Sequence, residues 1–221
     1  MSPSAPAGPG HGDLALELAA TAARLIAEDG CDYATAKRRA VQLVLGEAAG
    51  ARSRLPENEL VQAELRRYLR TFGGQRHATL LAELRATALA LMEYLAPFNP
   101  HLVGAVLNGT ATEHSVLRLQ LFTDSAKDVE IFLLNERVRF DVGEAGEPDG
   151  AFETIQLQVP RRLLAGATAS LEAVLTVLPT DAVRVGARSR SPDPSLSPIE
   201  RSGRASASAL RTLLSTLGTE R

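Results

Sequence analysis

Up to about residue 97 the apolar side chains recur every three or four positions, and beyond it they alternate or gather in short β-branched runs. Leu14, Leu18, Ala22, Leu25 and Ile26 trace one face of a helix that opens at Asp13 and stops at Gly30. The pattern predicts a second helix over 33–45, closed by Gly46. A third follows Pro56, with Leu60, Leu65, Leu69 and Phe72 on one stripe and Gly73-Gly74 as the stop. The fourth, 77–96, carries Leu80, Leu81, Leu84, Ala88, Leu91, Met92 and Leu95 and ends at Pro97 and Pro100.

Residues 101–107 (HLVGAVL) then read as a strand running into Asn108-Gly109-Thr110. In 116–122 (VLRLQLF), Leu117, Leu119 and Leu121 face one way while Arg118 and Gln120 face the other, the signature of a half-buried strand. A short helix over 125–135 points Val129, Phe132 and Leu133 inward. Strands are predicted at 138–142, 154–159 and 173–178, the last apolar on both faces and so interior. Between the first two, 143–150 is a turn or loop rich in Gly, Glu, Pro and Asp. Residues 184–208 are dominated by Arg, Ser, Pro and Gly, and a short amphipathic helix through Leu210, Leu213, Leu214 and Leu217 closes the chain. The expected class is α+β: a disordered leader (1–12), a helical region (13–97), a small mixed-sheet domain (98–182), and a flexible tail (183–221) with its short helix.

Composition narrows the function more than it names it. A chain of 221 residues, 45% hydrophobic and 23% charged, can bury a core, and a net charge of −2 gives no global pull toward nucleic acid or anionic lipid. Neither sequence-specific DNA binding nor membrane binding is expected. No apolar run approaches the roughly 20 residues of a membrane span. The leader lacks the basic segment and apolar stretch of a secretory signal. A single cysteine, Cys31, forms no internal disulfide and no cysteine zinc site, which fits a reducing cytoplasm. Beside Gly30 and Asp32, nothing in the sequence around it points to a reactive thiol.

Helix, strand, Gly-Thr, short loop, alternating strand and helix is the order spelled by 77–135. The residues that carry it are 103–107 leading to Gly109-Thr110-Ala111, then His114-Ser115-Val116-Leu117-Arg118-Leu119 and Leu121-Phe122. Over roughly 77–179 this resembles the nucleotidyltransferase fold of the DNA polymerase β type, above all its minimal bacterial versions. In that family a Gly-Ser or Gly-Thr ends the first strand, and Ser-Asp-hydrophobic-Asp-hydrophobic follows on the second. Two carboxylates two residues apart on a strand point to one face, where they share Mg²⁺ ions that stabilise the charge of phosphoryl transfer. A third acid comes from a neighbouring strand. The Gly-Thr turn brings backbone N–H groups and a hydroxyl to the phosphates.

The chain departs from that pattern at the metal ligands. Val116 and Arg118 stand where the two acids belong, and on the strand 173–178 the third position is apolar, taken as Val174. An arginine there repels Mg²⁺, although its guanidinium can itself pair with phosphate. The resemblance therefore implies a degenerate, non-catalytic member without Mg²⁺ or another cofactor. It implies nucleotide or RNA binding in the remnant cleft through Gly109, Thr110, Ser115 and Arg118. The alternative is a protein-interaction module that docks a protein partner through the Ala/Leu-rich helices. An active transferase using Glu113 or Glu153 as substitute ligands is a third possibility.

Other signals are weaker. His114 and Ser115 are adjacent on an extended chain and point to opposite faces, which disfavours a catalytic pair. The arginines at 38, 39, 66, 67 and 70 lie among glutamates on helix faces and read as solvated. Asn108-Gly109-Thr110-Ala111-Thr112 faintly resembles the ATP loop of Mur-type amino-acid ligases, but that loop needs a lysine beside its Thr or Ser, and the lysines here are at 37 and 127. That ligase activity is not supported.

Overall fold

The helices and strands read from the chain form, but the boundary between them falls elsewhere. A computed structural model describes residues 11–46, 54–143, 150–166, 170–185, 193–194 and 196–219. Residues 1–10 of the expected leader, most of the 143–150 loop and 186–192 of the expected tail lie outside the described residues. Two units result, Met1–Gly74 and Gln75–Arg221.

The first unit is helical. Helix α1 (His11–Asp29) starts two residues before Asp13. Helix α2 (Tyr33–Leu45) is capped by Asp32, whose carboxylate accepts the Thr35 N–H at 2.9 Å. Helix α3 (Asn58–Tyr68) runs into a π-helical turn, Leu69–Gly73. Ala19, Ala22, Ala23, Ala36 and Ala40 let these helices approach closely around Ile26, Val61 and Leu65. Phe72, placed by the sequence on the buried stripe, is instead 71% exposed. The wider π turn rotates it off the line of Val61, Leu65 and Leu69.

The second unit begins with helix α4 (Gly74–Tyr94), whose first residue ends the first unit. The predicted boundary at 97 thus moves to 74. Leu84, Ala88, Leu91 and Leu95 belong to the same core as the strands, so α4 is part of the sheet domain. A 3-10 turn, Ala96–Phe98, leads to β1 (His101–Val103). The predicted strand 101–107 stops there, because Gly104 takes φ +75° and turns the chain into a short helix, α5 (Ala105–Asn108). Then come β2 (Leu117–Phe122), α6 (Ala126–Asn135), β3 (Phe140–Gly143), β4 (Glu153–Gln158) and β5 (Glu172–Leu178).

The C-terminal segment is not a loose tail where it is described. Helix α7 (Pro198–Arg201) leads to β6 (Arg204–Ser206), which pairs with β1, and α8 (Ala207–Thr219) follows. Ala205, Leu210 and Leu213 are buried in the same core as Leu102 and Leu119. The six strands lie in the order β3-β4-β5-β2-β1-β6. β2 and β5 are parallel and all other neighbours antiparallel. Leu102, Leu117, Leu119, Leu121, Ile155, Ala173, Leu175 and Ala205 project from one face into a core shared with α4, α6 and α8. Among the described residues no helix is long and apolar enough to cross a membrane.

Candidate functional site

Alternation along the strands sends the remaining side chains to the other face of the sheet. Register aligns one row across all six strands: Arg204, Val103, Arg118, Val174, Gln156 and Asp141. The next row holds Ser206, His101, Gln120, Thr176, Thr154 and Gly143. Arg118 is thus exposed on this open face and lies beside Val174 on the parallel neighbour, with Val116 half-buried just before β2. A Cβ built on Gly104 would lie 3.5 Å from Arg118 Cδ, so the arginine stem rests over that glycine. Its guanidinium pairs with no described residue.

The other expected site residues lie elsewhere. Gly109 caps α5 with φ +80°, and a Cβ there would meet Leu81, Arg85 and Glu200 at 3.8 to 3.9 Å, on the helix side of the sheet. Thr110 is 2% exposed, and its hydroxyl donates to Asn108 Oδ1 at 2.7 Å. Gly109-Thr110 is therefore the end of a short helix on the helix side of the sheet, with Thr110 buried, and not the end of a strand. Ser115 Oγ accepts the Thr112 N–H at 2.9 Å, closing the loop ahead of β2. Of the four residues singled out, Arg118 alone presents a free polar group to the open face.

Sequence reasoning missed Arg85, which is 1% exposed. It lies four residues after Leu81 and three before Ala88, on the apolar face of α4, and a charge at that phase is the signal that marks it. Nε donates to the Val106 carbonyl at 3.1 Å and Nη2 to the Leu107 carbonyl at 2.9 Å. These are end carbonyls of α5 with no partner in the helix. Nη2 also meets Glu200 Oε1 at 2.7 Å, while Glu200 Oε2 accepts the Ser197 N–H at 2.9 Å. Burial pushes the Glu200 pKa up, but Arg85 and Ser197 outweigh it and hold the carboxyl below its usual range. His77 donates Nε2–H to the Ala111 carbonyl at 3.0 Å, and burial lowers its pKa, the Arg85 charge adding to the effect.

At the β6 end of the open face, Arg204 donates to the carbonyls of Val183 and Val185 at 2.6 and 2.7 Å and lies over the Phe122 ring at 5.1 Å. Burial lowers its pKa. A recess of about 400 Å³ here is lined by His101, Pro198, Ile199, Ser202, Arg204 and Ser206. His101 donates Nδ1–H to the Asn99 carbonyl at 2.9 Å, and burial lowers its pKa too. In the first unit, Arg39 Nη1 lies 3.0 Å from Cys31 Sγ, a partner that the neighbours Gly30 and Asp32 did not announce.

The donor set does not fit Mg²⁺. Val116, Arg118 and Val174 supply no oxygen ligand, and the arginine brings a positive charge to the spot. The substitute carboxylates do not repair this. Glu153 is on the helix side of β4 beside Lys127 and Glu130, and its pKa is raised, first by burial and then by Glu130. Glu113 pairs with Arg76, and Asp124 accepts the Thr180 hydroxyl at 2.6 Å. Among the described residues no group of three or more His, Cys, Asp or Glu side chains could hold a metal ion. Comparison with protein-family models, curated proteins and solved structures returns no match for this chain.

Proposed function

We propose that the second unit is a nucleotidyltransferase-like domain that has lost metal-dependent catalysis and binds a phosphate-bearing ligand, a nucleotide or an RNA end, without Mg²⁺. The observation that carries the reading is the position of Arg118. It lies on the open face of a parallel strand pair, beside Val174 and one side-chain repeat after Val116. Those are the places where the resemblance would put three metal-binding acids, and the side-by-side position of Arg118 and Val174 supports the reading. The guanidinium there takes the role of a phosphate partner, its planar fork matching two phosphate oxygens. Gly109 and Thr110 act from behind, fixing the loop that leads to β2. A cytoplasmic location belongs to the same reading, with Cys31 kept as a free thiol.

Isothermal titration of the full chain with ATP and with a short RNA, each in Mg²⁺ and in EDTA, tests it. Binding of at least one ligand is expected, equal in both buffers and weakened about tenfold or more by Arg118→Ala, the scale of one charge-assisted hydrogen bond. Binding that requires Mg²⁺, or that ignores Arg118→Ala, overturns the proposal. So does a failure to bind either ligand.

A second reading rests on a separate observation. Phe72 and Leu43 in the helical unit are 71% and 63% exposed, and a partner protein docked on these helices would cover them. Under that reading Phe72→Ser with Leu43→Ser abolishes capture of the partner while leaving ligand binding at Arg118 intact.

A further inference from the structure

The sheet ends at β3, and the sequence of that edge complements itself. β3 pairs with β4 on one side, and among the described residues no strand lies on its other side. Phe140 lies opposite Leu157 and Val142 opposite Ile155, which puts both on the helix side, while Asp141 lies opposite Gln156 on the open face. Arg139, exposed and two positions from Asp141, shares its face by the two-residue period. When two such edges meet antiparallel about Phe140, residues equidistant from it face each other. Arg139 of each copy then meets Asp141 of the other, and no like charges are opposed.

The flanking surface agrees. On the helix side Val142 is 49% exposed, and on α6 Ile131 and Leu134 are 54% and 64% exposed. The edge has no proline or lysine, two of the devices that keep free strands apart. Its start is fixed to α6 by a left-handed Arg137, φ +56°, and by the Val138 N–H bonded to the Leu133 carbonyl at 2.9 Å. The edge strand therefore leaves α6 at a fixed point, with its own apolar side chains, Phe140 and Val142, on the helix side.

We propose that two copies of this chain pair antiparallel through β3, joining their sheets into one, with reciprocal Arg139–Asp141 ion pairs on the open side and Phe140 and Val142 meeting apolar partners on the other. Sedimentation of the full chain at up to about 100 µM is expected to show a dimer, a concentration that reveals even micromolar affinity. Arg139→Asp and Asp141→Arg should each weaken it about tenfold or more, because each places like charges opposite one another twice. The double variant Arg139→Asp/Asp141→Arg should restore the homodimer, and mixing the two single variants should give a heterodimer. Circular dichroism checks that every variant is folded. A wild-type monomer overturns the proposal, including one whose β3 captures a strand of some other protein. A dimer indifferent to the single swaps, or a double swap that fails to restore pairing, overturns it as well.

Discussion

Replacing Glu200 by glutamine should destabilise the second unit through a bond the glutamine cannot complete. The carboxylate accepts from two donors at once, Arg85 Nη2 on Oε1 and the Ser197 N–H on Oε2. A carboxamide carries no charge, so Arg85 loses its counter-ion in either orientation, and with one acceptor oxygen its NH₂ is turned toward one of the two donors. Arg85 is 1% exposed at its side chain and Glu200 15%, so water reaches the carboxylate only in part. Breaking one partner of a buried ion pair costs about 3 to 5 kcal/mol, and the partial exposure of Glu200 puts Glu200→Gln near the lower end. For a unit of this size each kcal/mol moves the midpoint by about 2 to 4 °C, giving a fall of about 6 to 12 °C.

Arg85→Met should cost at least as much, because the Val106 and Leu107 carbonyls lose their donor along with Glu200. Adding Glu200→Gln to it should cost less than the sum of the singles, since part of each single penalty is the charge left alone. Calorimetry on the full chain measures all three, the effect falling on the transition of the sheet unit. Acid supplies a second check. The folded Glu200 pKa is depressed below its ordinary 4.5, so its stabilisation is present above that pH and is lost as pH falls through the lower folded value. The gap between wild type and Glu200→Gln should therefore close in strong acid. A Glu200→Gln midpoint within about 1 °C of wild type at neutral pH, or strictly additive penalties, refutes the reasoning.

Two further predictions follow the same physics. His77 and His101 both have pKa values lowered from 6.5, so the unfolded chain binds protons that the folded one does not. Stability should be complete above pH 6.5 and decline below it; the urea midpoint at pH 7.5 and 5.5 measures this, and His77→Gln should flatten the slope. Leu210→Ala in α8, where the residue is fully buried, should cost about 2 to 4 kcal/mol. A result near zero in chemical denaturation would mean that 207–219 does not share the core.

Local rules made much of the fold legible and failed where the decisive contact is remote. Helix α2 needed only its own spacing and Gly46 after it, and β2 announced itself by three alternating leucines. β6 had no such voice. Three residues, Arg204, Ala205 and Ser206, make too short a run to show a period, and their partner β1 lies a hundred residues earlier in the chain. Phe72 fitted a regular helix, and the π turn that removes it from the stripe has no signature in composition. Gly109 was legible as a turn ahead of β2, yet its direction was not, because that depends on Arg85 and Glu200 meeting across the core.

The candidate site divides along the same line. That Arg118 stands opposite Leu117 and Leu119 follows from the two-residue period alone. That Val174 is its neighbour follows only from the parallel register of β2 and β5, which no local pattern encodes. The register matters because it brings two positions far apart in the chain, Arg118 and Val174, onto one surface. A sheet covered by helices on one face gains its core from the leucines, so the residues of the opposite face are free of that packing demand. Arg118 is held there with its stem across Gly104, whose φ of +75° suits a residue without a side chain and leaves room for the arginine. A guanidinium positioned by its own stem spends less rotamer entropy on meeting a phosphate than a freely waving one. Any larger residue at 104 should therefore displace the Arg118 stem as well as strain the turn, and under the proposed phosphate binding it should weaken affinity too.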